Sequence, residues 1–215
     1  MTIAIGIVAH IDRQHMAEQL AEQVNADFIS IDGIHQRLGC NANHRRTWTE
    51  IAALNPTVGV VLEDDAVVCP DFRHQLEQAI KASPTHITSL YLGRQRPPQW
   101  QRNITKATEA ADNTDAHYLL CTHLLHAVGV AVTAEHIPPM LNFTATRNYL
   151  PWDEAVGCYA RNAGQKVGYL WPSIIDHRDG MSLISHRDKQ PRTPGRTAWR
   201  IGTRTTWDTE RTVTL

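Results

Sequence analysis

The sequence of 215 residues lacks several features that assign a class of protein directly. Its four cysteines form no CxxC pair, so neither a zinc knuckle nor a disulfide framework is indicated. No apolar run approaches the roughly 18 residues that a membrane helix needs. The formal net charge is only −1, so the overall charge does not point to a nucleic acid or a membrane surface as partner.

Two further absences narrow the enzyme classes. No GxxxxGK[ST] loop occurs, and no GxGxxG segment follows the first apolar run, which disfavours P-loop NTPases and dinucleotide-binding dehydrogenases. A phosphate-accepting receiver domain carries acids after its first strand, whereas here that run ends in Ala9 and His10. The segment MTIAIGIVAHID has no basic stretch and too short an apolar run for a signal peptide. We therefore expect a reduced, cytoplasmic protein without membrane association.

Short β-branched runs alternate with amphipathic segments through the first ninety residues. This alternation predicts an α/β fold, a mostly parallel sheet with helices on both faces. Asp12 is the expected cap of the first helix. The predicted strands are 3–9, 26–32, 57–62, 86–93, 116–123, 126–133 and 166–172. The predicted helices are 12–24, 43–54, 70–83 and 151–164, with a short helix broken by prolines at 134–141. Residues 94–103 are predicted as a loop, and 173–183 and 193–204 as irregular.

The end of the sequence is basic. Between positions 189 and 204 it carries Lys and Arg at five positions and no acid. We predict one domain over 1–188 and an irregular basic arm over 189–215. The arm has two interpretations. It follows a phosphate backbone while Trp199 and Trp207 stack on bases, or it wraps the domain with its arginines paired to acids.

Three adjacent acids, Glu63, Asp64 and Asp65, follow the third predicted strand in the segment VVLEDDAVV. In an open α/β sheet, ligands bind outside the carboxyl ends of the strands. Three neighbouring carboxylates repel one another, so they need a cation or a raised pKa. A hard divalent metal shared with phosphates answers this need, and a solvated acidic turn is the alternative.

Two other clusters carry candidate chemistry. In PSIIDHRDGMSLI, His177 lies between two aspartates after the last predicted strand, and it is either a metal ligand together with Asp65 or a structural histidine. In LPWDEAV, Asp153 and Glu154 fall in a first helical turn, where the helix dipole favours carboxylates. The functional interpretation of this pair is a general base that takes a proton from an acceptor hydroxyl.

The segments VVLEDDAVVCPDF, SLYLG, LPWDEAV and KVGYLWPSIIDHRDGMSLI, in this order, resemble the glycosyltransferases of the lipooligosaccharide and collagen galactosyltransferase type. The resemblance covers most of the chain. Small glycosyltransferases of actinobacterial phages are especially similar, with GCNANHRRTW and HRDKQPRTPGRTAWRIGTR as shared blocks. The resemblance implies a GT-A (Rossmann-like) fold, a nucleotide-diphosphate sugar as donor with a UDP-sugar favoured, and the acids as a DxD motif. A phage enzyme would act in the host cytoplasm.

The resemblance also implies residue roles. Asp65 and His177 would bind Mn²⁺ or Mg²⁺, and Asp153 would be the base of an inverting enzyme, with Glu154 as the alternative. Some of the donor-binding candidates near the second helix have an equally simple interpretation as a helix cap and a solvated face, namely Asn43, His44 and Arg46. The complete set of expected donor-binding residues is Ala9, His10, Arg13, Asp32, Asn43, His44, Arg46, Glu63, Asp64, Arg178 and Ser182.

The acceptor implied by the phage resemblance is a hydroxymethylated DNA base or a virion protein. Two other functions use the same features. One is a metal-dependent phosphoryl-transfer enzyme or nuclease that employs the acids, and the other is a non-catalytic nucleic-acid-binding module that employs the arm.

Overall fold

The computed structural model describes residues 1–33, 38–180 and 195–215. The described strands are β1 (Ile3–His10), β2 (Phe28–Asp32), β3 (Val58–Glu63), β4 (Ala66–Val68), β5 (Ile87–Ser89), β6 (Tyr118–Cys121), β7 (Gly129–Thr133), β8 (Val167–Leu170), β9 (Ile175–His177) and β10 (Thr212–Thr214). The helices are α1 (Gln14–Val24), α2 (Cys40–Ala53), α3 (Phe72–Lys81), α4 (Gln101–Thr114), α5 (Ile137–Ala145) and α6 (Trp152–Asn162). None of these helices combines the length and the apolar character needed to cross a bilayer.

One sheet organises the molecule, with the strand order β10-β6-β8-β5-β7-β3-β1-β2. Within the described sheet the pairs β1–β2, β1–β3, β5–β8 and β6–β10 are parallel, and β7 lies antiparallel between β3 and β5. Strands β4 and β9 form a separate antiparallel ribbon. The predicted α/β class with a mostly parallel sheet is confirmed, and the arrangement is consistent with a GT-A-like fold.

Helices cover both faces of the sheet, as predicted. Side chains of a strand alternate between its two faces, and β1 shows this directly. Ile5 and Ile7 belong to the apolar cluster that contains the buried side chains of α1 and α3. Ala4 and Val8 belong to the other cluster, which is built with α2, α4, α5 and α6.

Two glycines let α2 lie close to the sheet. A Cβ atom on Gly6 of β1 would lie 2.7 Å from Cγ2 of Thr47, and one on Gly59 of β3 would overlap the side chain of Ile51. Both contacts are with α2, so the helix packs against strands that carry no side chain at these points. The close approach fixes the first turn of α2 beside the carboxyl ends of β1 and β3.

Several elements differ from the sequence prediction. The predicted loop 94–103 contains a 3-10 turn, Pro98–Trp100, and the beginning of α4. The helix was missed because its apolar face consists of few and mostly small side chains. The three-residue strands β4, β9 and β10 are too short for a periodic pattern. Asp12 does not cap α1, since it lies inside a 3-10 turn, Ile11–Arg13, and donates its own N–H to His10 Nδ1 at 3.2 Å.

The described part of the basic arm wraps against the domain. Trp207 is buried and packs on Tyr118 with ring centroids 5.7 Å apart. Arg204 and Arg211 both form ion pairs with Asp115, at 2.9 and 2.6 Å. β10 then adds a strand beside β6. Residues 195–215 therefore match the wrapped-arm interpretation.

Candidate functional site

The acidic turn, defined here as Glu63, Asp64 and Asp65, lies where the carboxyl ends of β1 and β3 meet. Val8 of β1 pairs with Glu63 in the sheet register, and the Asp64 N–H donates to the Val8 carbonyl at 3.0 Å. The His10 N–H in turn donates to Asp64 Oδ2 at 3.0 Å. The acids are therefore held at a defined place at the tip of the sheet.

The ribbon of β4 and β9 brings His177 to the acidic turn. Ala66 pairs with His177 in this ribbon, so the histidine lies beside the residue that precedes Ala66. His177 Nε2 lies 3.3 Å from Asp65 Oδ2, and both side chains are largely buried. The two residues expected to share a metal are therefore neighbours.

Arg13 completes the charged group at this position. Its guanidinium nitrogen lies 2.6 Å from Asp65 Oδ2 and 3.0 Å from Asp64 Oδ1. Burial opposes the charge on Asp65, but His177 and Arg13 outweigh it and lower the pKa of that carboxyl. Burial also opposes the charge on His177, and Asp65 outweighs it and raises the pKa of the imidazole. For Asp64, burial dominates and raises the pKa.

Two polar atoms of this group have no hydrogen-bond partner within the described chain. They are Asp65 Oδ1 and His177 Nδ1, and both are buried. Buried polar atoms normally have partners, so an unpartnered carboxylate oxygen needs an explanation. A hard divalent cation supplies one, because Mn²⁺ and Mg²⁺ take few protein ligands and complete their shells with water and substrate phosphates. Asp65 and His177 thus fit such an ion, although Arg13 contacts the same carboxylate.

His44 of α2 forms the opposite wall. Its Nε2 lies 3.3 Å from Glu63 Oε1, and its ring stacks on Trp152 with centroids 5.5 Å apart and an interplanar angle of 9°. Burial alone would lower the pKa of His44, but the neighbouring Cys40 and Glu63 raise that pKa to about 9. Glu63, the first acid of the turn, is therefore engaged with the imidazole of His44.

Asp153 follows Trp152 in the first turn of α6, next to this wall. Burial raises the pKa of the Asp153 carboxyl to about 7, and the nearby carboxylate of Glu63 adds to the effect. Its Oδ1 accepts the Glu154 N–H at 2.9 Å. The side chain of Glu154 is exposed. The structure thus distinguishes the two acids of the WDE segment, since Asp153 has the raised pKa expected of a general base and Glu154 is exposed.

A cleft of about 230 Å³ opens above the acidic turn. Most of the residues expected at a donor or metal site line it, namely Ala9, His10, Arg13, Asp32, Asn43, His44, Glu63, Asp64, Asp65 and His177. The Asn43 amide also has a structural role, because it donates to the carbonyls of Ala9 and Ser30 at 3.1 and 2.9 Å. Asp32 accepts the N–H groups of Leu38 and Gly39, so it orders the entry to α2.

Three expected donor residues, Arg46, Arg178 and Ser182, are not among the described residues that line the cleft. Arg46 is exposed, donates to Ser30 Oγ at 2.7 Å, and is not among the described residues that line the cleft. Arg178 is also exposed, and its backbone N–H donates to the Asp65 carbonyl at 2.7 Å. Ser182 lies outside the described residues.

Three residues that line the cleft are missing from the expected set, Val8, Cys40 and Arg196. Arg196 belongs to the basic run of the arm, but the sequence does not indicate which arginine turns inward. In the structure its own carbonyl accepts the Tyr91 hydroxyl at 3.1 Å, which fixes the arm beside the cleft. Cys40 lies one helical turn before His44, a spacing that the sequence does show.

Comparison with known proteins supports a glycosyltransferase. Residues 35–125 match the sequence model of glycosyltransferase family 25 (LPS biosynthesis protein), a segment shorter than half of the chain that contains α2 and the acidic turn. A search of the curated proteins finds no match.

Two solved structures are similar to the chain at low sequence identity. The crystal structure of A197 from STIV has 10% identity and a TM-score of 0.50, and the alignment covers 94% of this chain and 98% of that chain. This likeness concerns the fold alone. A glycosyltransferase involved in the glycosylation of the major capsid of PBCV-1 has 11% identity, 66% coverage of both chains and a TM-score of 0.33, too low to support a common fold.

Proposed function

We propose that the protein is a metal-dependent glycosyltransferase that moves a sugar from a nucleotide-diphosphate sugar to a hydroxyl group. One observation carries the proposal. A buried carboxylate, Asp65, is paired with His177 and keeps an oxygen without a partner, in a cleft at the carboxyl ends of β1 and β3. The match of residues 35–125 to a glycosyltransferase family supports sugar transfer as the chemistry.

The cleft residues suit a donor with a diphosphate group. Asp65 and His177 would hold Mn²⁺ or Mg²⁺, which neutralises charge on the departing nucleoside diphosphate. Arg13 and Arg196 line the same cleft and can donate charge-assisted hydrogen bonds to phosphate oxygens. The end of β1 and Asp32 then lie where the nucleoside would be held, and we favour a UDP-sugar.

Asp153 is the proposed general base of a single displacement. The acceptor oxygen forms a bond to the anomeric carbon while the bond from that carbon to the phosphate oxygen breaks. The hydroxyl proton goes to the Asp153 carboxylate, and the electron pair leaves with the nucleoside diphosphate. Such a displacement inverts the anomeric carbon. A pKa of about 7 leaves part of the Asp153 population ionised at neutral pH and keeps the carboxylate more basic than an exposed one.

The described arm favours a protein over DNA as the acceptor. Arg204 is paired with Asp115 and is only 17% exposed, so little of its charge is available to a phosphate backbone. Trp207 is buried and so is not available to stack on a base. A hydroxyl-bearing side chain of a virion protein is therefore the acceptor that we propose, ahead of a hydroxymethylated base.

A thermal-shift screen of nucleotide-diphosphate sugars, with and without Mn²⁺, tests the proposal. We expect one donor to raise the Tm of the wild type in the presence of Mn²⁺ or Mg²⁺, because ligands that bind only the folded state stabilise it. The Asp65→Asn variant should lose that shift. Equal stabilisation without metal would contradict the metal dependence. Cleavage of phosphodiesters without any response to nucleotide sugars would favour the nuclease instead.

A further inference from the structure

A second group of side chains that could hold a metal ion lies at the other end of the central strands from the acidic turn. His86 directly precedes β5, and Glu135 and His136 follow β7 in a 3-10 turn, Ala134–His136. One ring nitrogen of each histidine and a carboxylate oxygen of Glu135 all lie within 4.8 Å of one another. The two imidazole rings stack with centroids 4.4 Å apart.

The backbone around this group is held by the sheet. Ile87 pairs with Val132 in the β5–β7 register, and the Thr133 N–H donates to the His86 carbonyl at 3.0 Å. His86 Nδ1 lies 3.2 Å from Glu135 Oε1. The side chains thus converge because two paired strands end and begin at this point.

His136 is oriented by a neighbour that is not itself a ligand. Its Nδ1 lies 2.8 Å from the hydroxyl of Tyr159, a buried residue of α6. This bond leaves Nε2 of His136 for another partner. Metal-binding histidines usually have their second ring nitrogen hydrogen-bonded in this way, which fixes the ring and the tautomer.

We propose that His86, Glu135 and His136 bind a transition-metal ion of the zinc type (Zn²⁺, Ni²⁺ or Cu²⁺). Two imidazoles and one carboxylate are a ligand set that zinc accepts in proteins, with a water in the fourth position. Imidazole favours these ions over Mg²⁺ and Mn²⁺, which prefer oxygen ligands. The partial exposure of His86 and Glu135 gives the ion a route from solvent.

This site is separate from the cleft and does not depend on the proposed function. β3 runs from Val58, which pairs with Thr133 beside the histidines, to Glu63 at the acidic turn. Five residue steps of about 3.3 Å place the two ends roughly 16 Å apart. An ion at the histidine group would join the beginning of β5, the end of β7 and, through Tyr159, α6.

Equilibrium dialysis of the full chain against Zn²⁺, with the bound metal measured by atomic emission, tests the site. We expect the His86→Ala/His136→Ala double variant to bind one equivalent of zinc less than the wild type. His74→Ala, which removes an exposed histidine elsewhere, should keep this equivalent. Tyr159→Phe should weaken the affinity roughly 10- to 100-fold.

Equal stoichiometry in the wild type and the double variant would overturn the proposal. Melting without zinc checks that the double variant is folded. If it is not, Glu135→Gln replaces an exposed side chain and gives the same comparison, since it removes the charged ligand and should also lower zinc binding. Unchanged zinc affinity in Glu135→Gln would then overturn the assignment.

Discussion

The acidic turn and the C-terminal arm both bring aspartates beside arginines, yet the aspartates differ in what their oxygens have left to bind. Arg200 of the arm donates both terminal nitrogens to Asp112 of α4, at 2.7 and 2.6 Å, and Asp112 also accepts the Trp171 indole at 2.9 Å. In the acidic turn, Asp65 is 7% exposed and keeps one oxygen without a partner among the described residues. An oxygen without a partner on a buried carboxylate, rather than charge itself, distinguishes the candidate site from this ion-paired contact.

Asp65→Asn should have the largest effect, because it removes the carboxylate whose unpartnered oxygen the comparison rests on while keeping the shape of the side chain. If Asp65 serves a metal, hydrolysis and transfer of the sugar donor should fall roughly a hundredfold or more, since a metal contributes several kcal/mol to the barrier. Donor turnover with Mn²⁺ measures this. Asp115→Asn, at the end of α4 where Arg204 and Arg211 of the arm pair with it, is the matched control and should keep its activity.

Full activity of Asp65→Asn would break the comparison, because the acidic turn would then be a structural network like the arm. His177→Ala provides an independent check on the same ligand pair. It should lose metal-dependent donor turnover as well, and unchanged turnover would remove His177 from the metal shell.

Asp153→Asn sharpens the comparison at the wall formed by His44 and Trp152. We expect sugar transfer to fall roughly 10²- to 10⁴-fold, the usual contribution of a general base, while the Mn²⁺-dependent Tm shift with donor is retained. The matched control is Glu154→Gln, which alters the exposed neighbour and should have little effect. A transfer rate that Asp153→Asn leaves unchanged would rule this residue out as the base.

The same residue predicts a pH dependence. The base must be ionised, and burial raises the pKa of Asp153 to about 7, so transfer should rise with pH up to about that value and level off above it. Ionising an enclosed carboxyl costs folding free energy, so stability from this group is present at low pH and is lost as the pH rises through 7. Asp153→Asn should therefore be no less stable than the wild type at pH 8. A transfer profile that is flat between pH 5 and 9 in the wild type would contradict this assignment.

Part of the site followed from local sequence. The runs IAIGIVA and TVGVVL form buried strands because β-branched residues suit that environment. Parallel strands end at the same edge, which puts Ala9, His10 and the acids together. The expected pairing of Asp65 with His177 came from their positions after predicted strands and from the resemblance to a glycosyltransferase family. In the structure this pairing depends on the ribbon of β4 and β9, whose three-residue strands are too short to show a recognisable sequence pattern.

The path of the arm could not be predicted from the sequence for a different reason. Its path is fixed by contacts between distant residues, such as the bridge of Gly93 to Ala198 and that of Ser173 to Ile201. No local periodicity encodes such contacts, so the basic run alone did not indicate that Arg196 faces the cleft while Arg204 faces Asp115. The helix α4 was missed because small side chains form most of its buried face.

Arg204→Ala should show what the arm contributes to stability. The guanidinium donates to the carbonyls of Trp171 and Ala116, at 2.8 and 2.9 Å, and its side chain is 17% exposed. Removing it leaves these acceptors without their partner, which costs about 1–3 kcal/mol. Urea unfolding measures the loss. Arg211→Ala, whose side chain is 47% exposed, is the matched control and should cost less. A larger loss in Arg211→Ala would contradict the burial argument.

We expect the smallest effect on stability at Arg200, because its hydrogen bonds to Asp112 have good geometry but water competes for the same exposed groups. Arg200 and Asp112 form two short hydrogen bonds, yet their side chains are 51% and 41% exposed. Exposed ion pairs contribute about 1 kcal/mol or less, and salt screens them. A double-mutant cycle with Arg200→Ala and Asp112→Asn measures the coupling, because Asn keeps the acceptor for Trp171. We expect a coupling energy below about 1 kcal/mol that shrinks at high salt. A coupling of several kcal/mol would contradict the use of side-chain exposure to distinguish the ion pairs of the arm from the acidic turn.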